Sequence, residues 1–188
     1  MNRRDAITRV GLLMGGAVIG AEFFISGCKS TSTDVADLSK PETIAFLDEV
    51  GETILPATTT PGAKAAQVGK FMGVMVNDCY KPDDQKIFLK GISDLNDASS
   101  KKFGKKFMEI DAKQRTELLT DLDKEQKDYT KTKKPEDPNH YFRMMKELTL
   151  LGFFTSKPGA TEALRYIAVP GKYDGNLPYK KGDKAWAT

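Results

Sequence analysis

After residue 40, apolar residues recur every three or four positions in five stretches, the spacing of the buried face of an amphipathic α-helix. The predicted helices begin near Pro41, Lys64, Pro82, Asp111 and His140. A sixth, shorter helix is predicted over 160–166, and no alternating run of β-branched residues is long enough to predict a strand. We therefore expect an all-α domain of five to six helices, followed by an irregular tail rich in glycine and proline.

Helix ends are marked by residues that satisfy free backbone N–H groups. Ser39 and Glu42 have capping-box spacing around Pro41, and Asp111 is followed three residues later by Gln114. Cys79 falls on the apolar face of the second helix, so a buried structural thiol is expected there.

The first 28 residues have the layout of a secretory signal: a basic end, a glycine-rich apolar stretch and small residues before a cysteine. The pair Arg3 and Arg4 is typical of twin-arginine export, in which cargo crosses the membrane folded. Asn2 and Ala6 depart from that pattern, so general secretion remains the alternative route. The tetrapeptide Ile25-Ser26-Gly27-Cys28 resembles a bacterial lipobox, which predicts acylation of Cys28 and an exported, lipid-anchored protein facing the periplasm.

Residues 29–39 are polar and lack bulky groups, and we interpret them as a flexible tether before a domain spanning 40–188. The charged residues of the whole chain give a net charge of +3. Basic and acidic residues are well mixed, which argues against a nucleic-acid surface.

Residues with catalytic potential are few. Cys79 and His140 have no partners at metal-ligand spacing, and neither a phosphate-binding glycine loop nor a nucleophile elbow is found. At the start of a helix, His140 is more simply a helix-terminal residue than a general base. The sequence therefore predicts no catalytic residue, no metal site and no cofactor in this chain.

Four aromatic residues, several hydroxyls and turn residues are concentrated between residues 148 and 175. One interpretation is structural, with Gly152 allowing close helix packing, Thr155 or Ser156 capping the helix and Pro158-Gly159 turning the chain. The other is an interaction surface, because aromatic side chains dominate the binding energy of protein interfaces.

Motifs spread over nearly the whole mature domain carry a family resemblance. They are Ile54-Leu-Pro-Ala, Thr60-Pro-Gly-Ala, Gly91-Ile-Ser-Asp-Leu, Phe103-Gly-Lys-Lys-Phe, Leu148-Thr-Leu-Leu-Gly-Phe-Phe-Thr-Ser and Pro170-Gly-Lys-Tyr-Asp-Gly. In this order and spacing they resemble the gluconate 2-dehydrogenase subunit 3 family, the small subunits of membrane-bound flavoprotein sugar dehydrogenases.

The resemblance implies a non-catalytic subunit that binds, stabilises and helps export a large subunit. That large subunit carries FAD and oxidises a sugar or sugar acid, often with a cytochrome c subunit as electron acceptor. The predicted partner interface comprises Phe153, Phe154, Thr155, Ser156, Tyr166, Pro170, Gly171 and Tyr173. The lipobox departs from better-known members, which leaves the electron acceptor open. The alternative function is a free-standing envelope lipoprotein that binds a ligand or acts as a scaffold.

Overall fold

The computed structural model describes residues 34–169 and 171–187. The signal, with Arg3, Arg4 and Cys28, and the interface residue Pro170 lie outside the described residues. The described part contains five α-helices: α1 (Pro41–Ile54), α2 (Val68–Cys79), α3 (Pro82–Phe103), α4 (Ala112–Thr132) and α5 (Tyr141–Thr155). The all-α prediction is confirmed.

Helix α5 lies at the centre of the domain and contacts each of the other four helices. Its core-facing residues are Phe142, Met144, Met145, Leu148, Thr149, Gly152 and Phe153. Gly152 allows this close packing, because a Cβ atom there would lie 2.6 Å from the Phe71 ring of α2. The prediction of close helix packing at Gly152 is confirmed.

The domain begins earlier than the sequence suggests. Residues Val35–Ser39, which we expected in the flexible tether, form a short 3-10 helix that contacts α1, α2 and α3. Leu38 is only 1% exposed, so burial of its side chain holds this segment on the body. The capping box at Ser39 is also wrong, because the Ser39 hydroxyl donates to the Ala36 carbonyl instead.

Helix α2 begins at Val68 rather than at Lys64, because α1 supplies its cap. The Asp48 carboxylate of α1 accepts a hydrogen bond of 2.7 Å from the Gly69 N–H in the first turn of α2. Burial raises the pKa of Asp48, and the Gly69 N–H opposes that shift by stabilising the charged form. This long-range cap replaces a local signal that the sequence does not contain.

The predicted capping box of α4 is confirmed. Asp111 accepts from the Gln114 N–H at 2.8 Å, and the Gln114 side chain accepts from the Asp111 N–H at 3.2 Å. One turn further on, the Arg115 guanidinium pairs with Glu49 of α1 and donates to the Phe107 carbonyl oxygen at 3.1 Å. Arg115 therefore ties α1, α4 and the connection before α4 together.

The sixth predicted helix is wrong in its second half. Residues Gly159–Ala163 form one π-helical turn, after which the chain becomes extended. Strand β1 (Arg165–Tyr166) then pairs in parallel with β2 (Trp186–Ala187) near the end of the described chain. This pairing joins residues 21 positions apart in the chain, which local periodicity does not predict. Among the helices of the described residues, none is both long and apolar enough to cross a bilayer.

Candidate interaction surface

The second half of α5 presents an apolar stripe to solvent. Leu150, Leu151 and Phe154 are 37%, 47% and 39% exposed and follow one another at helical spacing. Leu151 follows the core residue Leu148 at helical spacing, yet nearly half of its side chain is exposed. The stripe lies next to the C-terminal end of the helix.

At the end of α5 the chain folds tightly back on the helix. The Ser156 hydroxyl donates to the Phe153 carbonyl at 2.6 Å and accepts from the Gly159 N–H at 3.1 Å. Gly159 lies so close that a Cβ atom there would collide with the Phe153 carbonyl oxygen. The cap at Ser156 and the turn at Gly159 therefore confirm the structural interpretation of this stretch and fix the direction in which the chain leaves the helix.

Strands β1 and β2 are held together by more than backbone pairing. The Arg165 guanidinium lies over the Trp186 ring at 4.5 Å, a cation–π arrangement, and donates to the Lys184 carbonyl at 3.2 Å. The Arg165 side chain also lies 3.8 Å from the Asp183 carboxylate. We call β1, β2 and these Arg165 contacts the clasp.

The chain between the two strands is a loop, whose residues 171–185 we call the C-terminal loop. Its large apolar side chains are exposed: Tyr173 is 95%, Leu177 50% and Tyr179 76% exposed. Before the loop, Ile167 and Val169 are 44% and 81% exposed. Apolar residues exposed in such number, close together in the chain, are typical of a surface that binds another molecule.

The predicted interface residues fall into three groups. Phe153 is 4% exposed and belongs to the core, so it supports the surface from beneath rather than forming part of it. Phe154, Thr155 and Ser156 lie at the end of α5, and the π-helical turn connects them to Tyr166, which is 55% exposed. Gly171 and Tyr173 lie in the C-terminal loop.

The sequence did not predict the clasp or the exposed apolar residues in the second half of the C-terminal loop. Arg165 and Trp186 gave no local signal of their pairing. Leu177 and Tyr179 could have been noticed, because they are bulky apolar residues in a tail that lacks a helical stripe.

His140 has a structural role that agrees with its position at a helix start. Its Nδ1 accepts from the Phe142 N–H at 3.2 Å and so caps α5, which leaves the proton of the neutral ring on Nε2, 3.7 Å from Glu125. The ring stacks on Tyr141 with 4.6 Å between centroids. An open hollow of about 540 Å³ lies beside it, where Lys90 already pairs with Asp94 at 2.7 Å.

Cys79 is exposed, which corrects the prediction of a buried thiol. It is the last residue of α2, and Met72 and Val76 fill the core from that helix instead. Across residues 34–169 and 171–187, no three histidine, cysteine or carboxylate side chains are grouped so that they could hold a metal ion.

One family of proteins matches this chain. The sequence model described as Gluconate 2-dehydrogenase subunit 3 matches residues 41–171, which include all five α-helices and β1 and end at the start of the C-terminal loop. Searches of curated proteins and of solved structures gave no match.

Proposed function

Because the chain belongs to the gluconate 2-dehydrogenase subunit 3 family, and is thus a subunit of a dehydrogenase complex, we propose that it is the non-catalytic small subunit. It binds and stabilises an FAD-dependent subunit that oxidises a sugar or sugar acid, and it helps to export that subunit. FAD and the reacting groups belong to the large subunit.

The observation that carries this proposal is the exposed apolar surface at the C-terminal end of the domain. Tyr166, Tyr173 and Tyr179 each expose more than half of their side chains, and Phe154 at the end of α5 is 39% exposed. Leaving such groups in water is unfavourable by roughly 25 cal/mol for each Å² of apolar area that a partner could cover. Binding of the partner subunit in a complex covers this apolar area.

The N-terminal signal gives the proposal its location. A flavoprotein that acquires FAD in the cytoplasm has to cross the membrane folded, and Arg3 and Arg4 supply a signal of the class that exports folded cargo. A tightly bound subunit without its own signal crosses with it. Cys28 then anchors the complex by its acyl chains, and a cytochrome c subunit is a further candidate partner.

The test is deletion of this chain in the organism that produces it. We expect membranes to lose sugar-dependent dye reduction, and the dehydrogenase subunit to disappear from the periplasmic side on immunoblots. Re-expression of the wild-type chain restores both. A dehydrogenase that remains exported and fully active without this chain would contradict the proposed function.

The anchor is tested separately with two matched cysteine variants. We expect Cys28→Ala to move the protein from the membrane to the soluble periplasmic fraction, because the acylation site is lost. Cys79→Ala, which removes the other cysteine of the chain, leaves the protein in the membrane fraction. Identical fractionation of both variants would refute lipid attachment at Cys28.

A further inference from the structure

The C-terminal loop combines three properties that seldom occur together in a loop without a partner. Its 15 residues, 171–185, contain no helix or strand, its apolar side chains are exposed, and the strands that lie before and after it pair with each other. Loops of this length without secondary structure are usually functional or disordered. The clasp argues against disorder.

The clasp fixes the loop at its base. Besides the strand pairing, the Arg165 N–H donates to the Ala185 carbonyl at 2.8 Å, and the Lys184 amine donates to the Glu162 carbonyl at the end of the π-helical turn. Inside the loop, Asp183 accepts from the Lys180 N–H at 3.0 Å, and Asp174 accepts from the Asn176 N–H at 3.0 Å. These bonds lower the entropy that the loop has to lose on binding.

The charge of the loop differs from that of the body. The loop contains four lysines (172, 180, 181 and 184) and two aspartates (174 and 183), a net charge of 4 − 2 = +2. Residues 34–163 contain 20 basic and 22 acidic side chains, a net charge of 20 − 22 = −2. The loop is thus a basic element on a slightly acidic domain, which favours a partner with an acidic contact surface.

We propose that the C-terminal loop, held closed by the clasp, docks this chain onto the dehydrogenase subunit, with Tyr173 and Tyr179 as anchors in apolar recesses and Lys172, Lys180 and Lys181 against an acidic rim. The inference rests on the proposed function and deepens it, because it assigns the contact to a segment that lies almost entirely beyond the family match. A protein surface is favoured over a membrane, because a preorganised loop gains most from a partner of fixed shape.

The experiment purifies the complex through a tag on the full-length chain and measures how much dehydrogenase subunit is retained. We expect the double variant Tyr173→Ala/Tyr179→Ala to weaken the affinity for the dehydrogenase subunit at least about tenfold. The reason is that an aromatic anchor contributes more binding free energy than the average interface residue. The control is Met108→Ala, which removes an apolar side chain that is 44% exposed elsewhere on the domain. This control retains the partner as the wild type does.

Charge is tested by Lys180→Glu/Lys181→Glu against Lys105→Glu/Lys113→Glu, two exposed pairs with the same change in net charge. The first variant binds more weakly and loses most of the salt dependence of binding, whereas the second retains both. Equal effects of the two pairs would show that net charge acts rather than the loop, and would overturn the proposed acidic rim.

The clasp is tested by Arg165→Ala and by the emission of Trp186, which is the single tryptophan of the chain. In the free variant, acrylamide quenches Trp186 more strongly and trypsin cleaves the loop at Lys172, Lys180 and Lys181 faster than in the wild type. In the wild-type complex, the partner protects the same three lysines from trypsin. Unchanged quenching and cleavage in the variant would overturn the clasp.

The possible failures are distinguishable. If the wild-type chain retains no flavoprotein, the proposed function and the proposed role of the loop are both wrong. If the double tyrosine variant retains the flavoprotein as the wild type does, only the proposal that the loop forms the docking contact is wrong. If that variant retains the flavoprotein but loses binding to vesicles of anionic lipid, the loop is a membrane contact and the protein-docking proposal is overturned.

Discussion

Gly91 offers the sharpest test of how closely the central helix packs. It lies on α3, where a Cβ atom would be 2.5 Å from both Cβ and Cγ of Tyr141 on α5. Carbon atoms pack best at about 3.5–4.0 Å, so a methyl group is too close by about 1 Å. The Tyr141 Cβ is bonded directly to the backbone and cannot rotate away. Substitution of Gly91 by alanine therefore forces the two helices apart.

The expected size of the effect follows from two opposing terms. Overpacking in a well-packed core costs about 1–3 kcal/mol. Alanine instead of glycine inside a helix stabilises by about 1 kcal/mol. Because the Tyr141 Cβ cannot rotate away, we expect an overpacking cost in the upper part of this range, about 2–3 kcal/mol. After subtraction of the propensity gain, Gly91→Ala lowers the free energy of unfolding by about 1–2 kcal/mol, which lowers the melting temperature by about 2–8 °C for a domain of this size.

The assay is urea unfolding of the purified protein followed by far-ultraviolet circular dichroism. The matched control is Gly51→Ala in α1, where the new Cβ would meet the Ala63 Cβ at 3.3 Å and other atoms at 3.6 Å or more. There the gain in helix propensity offsets the tighter contact, and we expect a change within about 0.5 kcal/mol of the wild type. If Gly91→Ala is as stable as Gly51→Ala, the packing of α3 on α5 described here is wrong.

Three further predictions concern single side chains. Burial raises the pKa of Asp123, but hydrogen bonds from Lys127, Lys146 and the Gln126 amide outweigh it and bring the pKa to about 2. Since the unfolded value lies near 3.9, this stabilisation is present above about pH 4 and is lost as the pH falls toward 2. The free energy of unfolding of Asp123→Asn, measured by urea titration, should therefore depend less on pH in that window than that of the wild type. The same pH dependence in both proteins would refute the ion-pair assignment. Asp111→Ala removes the α4 cap and should lower the free energy of unfolding by about 1 kcal/mol, whereas a change below 0.3 kcal/mol, on the order of measurement error, would contradict the cap. The exposed Cys79 thiol should react with a disulfide reagent in the folded protein nearly as fast as in urea, and slow reaction would show that it is shielded.

The helices were largely predictable because their signals are local. Spacing of apolar residues located all five, and the capping box at Asp111 lies where the sequence predicts it. The start of α2 was missed because its cap is the Asp48 side chain, which belongs to another helix. The segment Val35–Ser39 was missed because its polar composition is typical of a tether, and a single buried leucine, Leu38, holds it on the body.

Only part of the candidate surface was predictable, because the sequence reveals residue types but not contacts between distant segments. The aromatic and turn residues near Tyr166 and Tyr173 drew attention by their type alone. Arg165 and Trp186 stabilise the clasp by a cation–π contact with each other. They are separated by 20 intervening positions, and no periodic pattern predicts such a contact. Phe153 and Phe154 are identical in type and adjacent in sequence, and only the fold distinguishes the buried ring from the exposed one.

The flavin content of the complex purified through a tag on this chain tests most directly whether the chain binds a flavoprotein subunit. We expect a flavin absorption spectrum at close to one FAD for each copy of this polypeptide, carried by a second, larger subunit. A purified chain that is free of flavin and elutes alone, while the dehydrogenase subunit is present in the same membranes, would contradict it.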